Sequence, residues 1–351
     1  MKPLKYISIE EAFAQGTGVF IDVRSEGEYA EDHIPGAVNI PLLTDDHRVI
    51  VGTLYREEGN EIAKIEGFRL FSSRYDAFME AVREAVRPGE PLFVYCWRGG
   101  SRSEYVTELL QNLDFPGVYK IAGGYKRFRA YALQRISDWC AEKRALVLHG
   151  YTGAGKTDLL TRLKAGGGPA LCLETLAQNS GSVFGNVFFT ENQPTQKQFE
   201  SLIFDYFQKS DCPYYFVESE SKRIGNVFVP DPLLEAIRTG IHIDVRTAIE
   251  NRVENLYRFY VDSGGGLESL IQPLNRLRKR LGNQLVDDLI ARLESGDYRS
   301  VIRTLLTDYY DPLYQYSIDQ YTFDYTVEYE SLDEAEAALF SILSELERTN
   351  P

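Results

Sequence analysis

Along the first ~135 residues, short continuous apolar runs alternate with segments whose apolar positions recur every three or four residues. "VFIDV" (19–23) and "LFVY" (92–95) are of the buried-strand type, and "VYKI" adds a third strand. "YDAFMEAVREAV" (75–86) repeats Phe78, Ala81, Val82, Ala85 and Val86, and "RSEYVTELLQNL" (102–113) repeats Val106, Leu109, Leu110 and Leu113. Both spacings are helical. Strands that alternate with helices predict a parallel α/β sheet.

A helical stretch at 125–144 then opens a second pattern of the same kind. "ALVLH" (145–149) reads as a strand, followed by a Gly-rich turn and the helix "KTDLLTRLKA"; "YYFV" (214–217) and "IHIDV" (241–245) are further strands. Beyond ~250 the pattern is mostly helical, through "NQLVDDLIARLE" and "DEAEAALFSILSELE". The expected organisation is a domain at 1–135, a linker helix at 136–144, and a second domain at 145–351 with a helical C-terminal extension. A chain of 351 residues is long enough for two cores.

Composition narrows the class. No run approaches the ~20 apolar residues of a membrane span, and the N-terminus lacks a signal-peptide core, so a cytoplasmic protein is expected. Cys96, Cys140, Cys172 and Cys212 form no CxxC pair and suit a reducing compartment. The net charge of −14 argues at first against a nucleic-acid partner. Residues 308–351, however, hold eleven acidic residues against Arg348 alone, which concentrates most of that charge in the tail. A basic face elsewhere stays open.

Two loops carry the chemistry. In "VYCWRGGSRSEYV" (94–106) a strand ends in Cys96, a Gly-containing loop follows, and then a helix begins. Loop amides and a helix N-terminus form an anion nest there. With Arg98 and Arg102 nearby, that field is expected to favour the thiolate, the attacking form of cysteine. Gly99 and Gly100 let the backbone curl around an oxyanion, with Trp97 and Ser101 completing the loop. Trp97 can stack on a target base or simply pack the loop. The second loop, "GYTGAGKT" (150–157), is a full G-x4-G-K-T between a strand and a helix. Gly150, Gly153, Ala154 and Gly155 form a phosphate cradle, Lys156 supplies the charge, and Thr157 has the hydroxyl that Mg²⁺ would take. No Asp ends the strand "YYFV"; Glu218, with Glu220 beyond it, is the candidate acid, and a helix cap or an ion pair with Lys222 or Arg223 is the plainer role.

"FIDVRSEGEYAEDHIPGAVNIPL" (20–42), "YCWRGGSRS" and "IAGGYKRF" resemble the two halves of a rhodanese domain. The resemblance makes Asp22, Arg24, His33, Pro35 and Gly36 loop-shaping residues. The spacing from Cys96 to Arg102 is C-x5-R, one residue longer than the usual rhodanese loop and equal to that of rhodanese-related phosphatases. Those usually carry His before the Cys, where this chain has Tyr95. A C-x5-R phosphatase or a sulfurtransferase fused to an ATPase is therefore one alternative, and a non-catalytic nucleotide-switched module another.

Together the two loops resemble the tRNA 2-selenouridine synthase family, as do "QPTQKQFE" (193–200), "VESESKRIGNVFVP" (217–230) and "LLTDYYDPLYQY" (305–316). The fold implied is α/β: a rhodanese-like parallel-sheet domain, then a P-loop NTPase-like α/β domain with a largely helical C-terminal part. The implied activity is that of a transferase that converts wobble 2-thiouridine of tRNA to 2-selenouridine with selenophosphate, by way of an S-geranyl form made from geranyl diphosphate. On that resemblance Cys96 handles selenium, the loop through Arg102 holds selenophosphate, and residues 150–157 hold the diphosphate. No tightly bound cofactor is implied. One departure stands out: Asn179-Ser180-Gly181-Ser182 replaces the family's His-Arg-Gly-Ser run.

For tRNA itself two basic clusters qualify, "YKRFR" with Lys126, Arg127 and Arg129, and "RLRKR" with Arg276, Arg278, Lys279 and Arg280. Basic side chains interleaved with aromatics contact phosphates and stack on unpaired bases. The plainer reading of each is a solvated helix face.

Overall fold

The computed structural model describes residues 3–180, 192–262, 267–318 and 320–349. The chain forms two compact units, one of Met1–Arg135 with Glu200–Asp205, the other of Ile136–Phe199 with Tyr206–Pro351. The segment 200–205 belongs to the first unit despite its distance in sequence, through side chains such as Phe204, whose ring meets Phe13 and Phe128.

The first unit is built on five strands, β1 (Tyr6–Ile7), β2 (Val19–Asp22), β3 (Val38–Asn39), β4 (Leu92–Tyr95) and β5 (Val118–Ile121), in the order β1-β5-β4-β2-β3. Every pairing is parallel. All four residues of β4 are buried, as its unbroken apolar run requires of a central parallel strand. Val19, Ile21, Leu92 and Val94 pack in one core cluster with Phe78, Met79 and Val82 of helix Tyr75–Ala85 and with Val106 and Leu110 of helix Ser101–Asn112. Cys96 belongs to that cluster, so the thiol sits at the end of the core. The pattern reading did not anticipate two helices, Asp45–Glu57 and Asn60–Ser72, which hold only Ala63 and Phe71 buried between them.

The second unit has its own parallel sheet. Its strands are β6 (Arg144–His149), β7 (Ala170–Leu171), β8 (Tyr214–Glu218), β11 (Ile241–Arg246) and β12 (Tyr325–Glu328), in the order β12-β11-β6-β8-β7. Between β8 and β11 the strands β9 (Arg223–Ile224) and β10 (Val227–Phe228) form an antiparallel hairpin. The region expected to be helical after ~250 is so, with one difference: β12 returns to the sheet edge beside β11. The helices from 267 to 310 close a separate core around Leu274, Val286, Leu289 and Val301. The expected linker helix 136–144 is the second half of one helix, Gly124–Glu142, and Arg144 already begins β6. No helix among the described residues is long and apolar enough to cross a membrane.

Candidate functional site

The Cys96 loop is held by backbone contacts. The carbonyls of Cys96 and Trp97 accept the amides of Tyr125 and Lys126, in the first turn of helix Gly124–Glu142, each at 2.9 Å. Two glycines make this approach possible. A Cβ on Gly124 would lie 2.2 Å from the Cys96 carbonyl oxygen, and one on Gly99 would lie 2.9 Å from that of Ile121. Both have positive φ. Gly100 is different: its φ is −91° and a Cβ would meet nothing within 4 Å, so it opens toward the surface.

The thiol is buried. Its sulfur lies 3.2 Å from the Ser103 hydroxyl, which also reaches the Gly100 carbonyl at 3.2 Å. Ser103 is a site residue that the sequence reading passed over, although it ends the quoted motif. Of the two arginines, Arg98 is exposed, whereas Arg102 pairs with Glu28 at 2.7 Å. Glu28 in turn accepts the Ser25 amide, and these partners hold its carboxyl below the usual range in spite of burial. Trp97 packs with its ring centroid 5.1 Å from that of Tyr125.

Behind the loop lies a buried polar frame. Arg24, 1% exposed, donates to both oxygens of Asp22 and to the Asp32 carbonyl, with its guanidinium 4.0 Å from the Tyr125 ring centroid. Tyr125 donates to Asp32 at 2.7 Å, and Tyr95 accepts the Ile34 amide. A buried charge in this position has to be paired, and here it is. His33 stacks on Tyr29 and bonds its carbonyl.

The P-loop follows β6. Its three glycines have positive φ, and a Cβ would lie 2.5 Å from the Val245 carbonyl oxygen on Gly150 and 2.8 Å from that of Arg252 on Gly153. Carbonyls of the loop are gripped from outside: Arg252 bonds Thr152, Asn255 bonds Gly153 and Tyr329 bonds Ala154. Arg252 is itself paired with Asp311. None of Arg252, Asn255 and Tyr329 was singled out from sequence, though Asp311 lies within one matching stretch.

Inside the loop, Lys156 donates to the Gly150 carbonyl at 2.8 Å and Thr157 donates to Glu174 at 2.6 Å. The Glu174 amide bonds Glu218, whose other carboxylate oxygen is buried without a partner. Burial, then the charge of Glu174, pushes the Glu218 carboxyl up to about 7. Burial also raises Glu174 and Glu220 and lowers Lys156. Glu174 is a further residue that sequence reasoning missed; it carries no motif of its own. No group of three or more His, Cys, Asp or Glu among the described residues could hold a metal. The Thr157 hydroxyl and the orphaned Glu218 oxygen are oxygen donors of the kind a Mg²⁺ takes, and these two would have to be completed by oxygens from outside the protein. A small apolar cavity of about 50 Å³ adjoins the loop at Thr152, lined by residues such as Leu256, Leu274, Val301 and Leu305. Its walls include residues of two π-helical turns, Arg258–Asp262 and Leu306–Tyr310.

The basic clusters divide. Lys126 is exposed, Arg127 is half exposed and pairs with Glu10, and Arg129, 13% exposed, is bound to Glu200, Ser201 and Asp32. In the other cluster Arg276 and Lys279 are exposed, while Arg278 pairs with Asp287 and Arg280 donates to the Tyr309 hydroxyl. Of the departing run, Gly181 and Ser182 lie outside the described residues; Asn179 is buried.

A cysteine loop on a five-stranded parallel sheet, joined to a P-loop unit, defines a rhodanese–P-loop fusion. Comparison with known families agrees: residues 8–131 match the rhodanese-like domain, and residues 143–339 match the tRNA 2-selenouridine synthase AAA domain. The chain is 32% identical to the tRNA 2-selenouridine synthase of Hahella chejuensis over 86% of its own length and 85% of that protein's. It is 33% identical to the synthase of Bordetella bronchiseptica, covering 86% and 88%, and 33% identical to that of Pseudomonas syringae pv. syringae, covering 84% and 87%. The chain belongs to the tRNA 2-selenouridine synthase family.

Proposed function

We propose that this protein is a transferase that replaces the sulfur of wobble 2-thiouridine in tRNA with selenium, through an S-geranyl intermediate. The family supports the tRNA substrate and the product. The observation that carries the finer reading is the pairing of two anion loops of different character in one chain. The Cys96 loop offers a nucleophile. The P-loop offers a glycine cradle with Lys156 and Thr157 at the start of a helix, which suits a diphosphate leaving group.

In the first step the thiocarbonyl sulfur attacks C1 of geranyl diphosphate. The S–C bond forms, the C–O bond breaks, diphosphate leaves with the electron pair and the N3 proton is released. Gly150, Gly153, Ala154, Gly155, Lys156 and Thr157 hold the leaving diphosphate, and Mg²⁺, when bound, would neutralise part of its charge. In the second step selenium from selenophosphate, handled at Cys96, attacks C2. The C–Se bond forms as the C–S bond breaks, and geranylthiolate leaves; the Cys96 thiolate then takes the phosphoryl group as the P–Se bond breaks, N3 regains a proton, and water releases phosphate from Cys96. Arg98 and the open edge at Gly100 are available to selenophosphate, while Arg102 must exchange Glu28 for it. Both co-substrates are anions, and both loops are anion nests.

Mass spectrometry of nucleosides from 2-thiouridine tRNA, incubated with geranyl diphosphate and with selenophosphate, tests the reading. Cys96→Ala is expected to abolish 2-selenouridine while S-geranyl-2-thiouridine still forms; Lys156→Ala is expected to cut geranylation by roughly 100-fold or more. Absence of both products with the intact protein would sink the proposal.

A further inference from the structure

The Cys96 loop forms the floor of a cavity of about 450 Å³ that lies wholly within the first unit. Its walls are mainly hydrocarbon and aromatic: Leu43, Val51, Tyr55, Phe68, Phe71 and Tyr105. Asn60, Lys64 and the loop residues Arg98, Ser101 and Arg102 are the polar part of the lining. Selenophosphate and a pyrimidine ring are both polar, and neither accounts for so much apolar wall.

The helices that form this wall are unusual for the unit. Tyr55 and Phe68, at the cavity, are 59% and 48% exposed, and Val49, Ile50, Ile62 and Ile65 on the same two helices are exposed as well. Of these, Tyr55 and Phe68 line the cavity, so its mouth carries exposed aromatic rings beside the Cys96 loop, as a ligand groove does. The volume decides what fits. At the roughly 30 Å³ that a water-sized group occupies, ten carbons take about 300 Å³, and the remainder admits the edge of a base.

We propose that this cavity binds the geranyl chain of S-geranyl-2-thiouridine tRNA and so places C2 of the base against the Cys96 loop. The proposal rests on the S-geranyl route described above. The chain then acts as a handle. It selects alkylated tRNA over the unmodified thiouridine and holds the geranylthiolate in an apolar site as the C–S bond breaks.

The test compares two purified tRNAs, one with S-geranyl- and one with S-methyl-2-thiouridine at the wobble position, in single-turnover selenation by the full-length protein. Their leaving thiolates are chemically similar, and only the hydrocarbon differs. The intact protein is expected to prefer the S-geranyl substrate by about 100-fold in kcat/KM, the worth of three or four buried methylenes. Val51→Trp, which fills the cavity, and Phe68→Ser, at an exposed position that leaves the core intact, are expected to reduce that preference below about tenfold. Conversion of the S-methyl substrate by each variant is the reference against which its preference is measured. Equal use of both substrates by the intact protein, or a preference retained in a folded Phe68→Ser protein, overturns the cavity assignment. If the intact protein converts neither alkylated tRNA yet selenates 2-thiouridine directly, the S-geranyl route itself fails, and the cavity proposal falls with it.

Discussion

The two anion loops share one grammar: a buried parallel strand, a glycine turn, then a helix. Their surroundings differ. The Cys96 loop is fastened through its carbonyls to the next helix, and its floor opens onto a large apolar cavity. The P-loop is gripped from outside by Arg252, Asn255 and Tyr329 and is crowded inside by Lys156, Glu174 and Glu218. The same local fold is thus set in two environments, one open and apolar, the other closed in and charged. What tunes it is mostly distant in sequence.

Glycine substitutions break the comparison most strongly. Gly124→Ala places a Cβ 2.2 Å from the Cys96 carbonyl at a φ of +57°. It is expected to destabilise the first unit by about 3 kcal/mol or more, read by denaturant unfolding, and to abolish selenation. Gly100→Ala, in open space two residues before Arg102, is expected to cost under about 0.5 kcal/mol. Equal losses from the two would mean that the loop is not fixed by this close approach.

A pH series sharpens the difference on the other side. The Glu218 carboxyl is raised in the folded protein, so its proton stabilises the fold fully below the unfolded value of 4.5. That contribution is lost as pH rises toward about 7. The intact protein should therefore lose up to about 3 kcal/mol between those limits from this group. Glu218→Gln should remove that slope. An unchanged slope in the variant would show that the orphaned carboxyl is not the titrating group.

The smallest effects are expected at the basic clusters. Arg276→Ala with Lys279→Ala should weaken tRNA binding a few-fold and reduce its salt dependence by up to about two counterions, while stability stays unchanged. Arg129→Ala should behave in the opposite way and lower stability, because its guanidinium is committed to Asp32, Glu200 and Ser201. Salt-dependent binding curves and unfolding curves on the same variants separate the two cases.

The strands and helices that carry both loops were legible because local signals fix them. Continuous apolar runs of four to six residues become central parallel strands, and Gly-rich stretches that follow them must turn. Cys96, Lys156 and Thr157 are therefore readable as residues. Short edge strands such as β1, β3 and β7, of two residues each, leave no pattern to read, and β12 is hidden in a helical context.

Sequence by itself determined that this chain carries a cysteine loop and a glycine-rich P-loop on two parallel-sheet units, since strand burial and glycine backbone freedom are local properties. Only the tertiary structure decided which charges are spent and which are free. Arg102 meets Glu28, 74 residues away, Arg252 meets Thr152 across 100, and Arg129 turns inward to residues 200 and 201. The apolar cavity over Cys96 likewise exists only because two weakly patterned helices fold back beside the loop. Desolvation and pairing depend on neighbours in space, and no spacing along the chain encodes them.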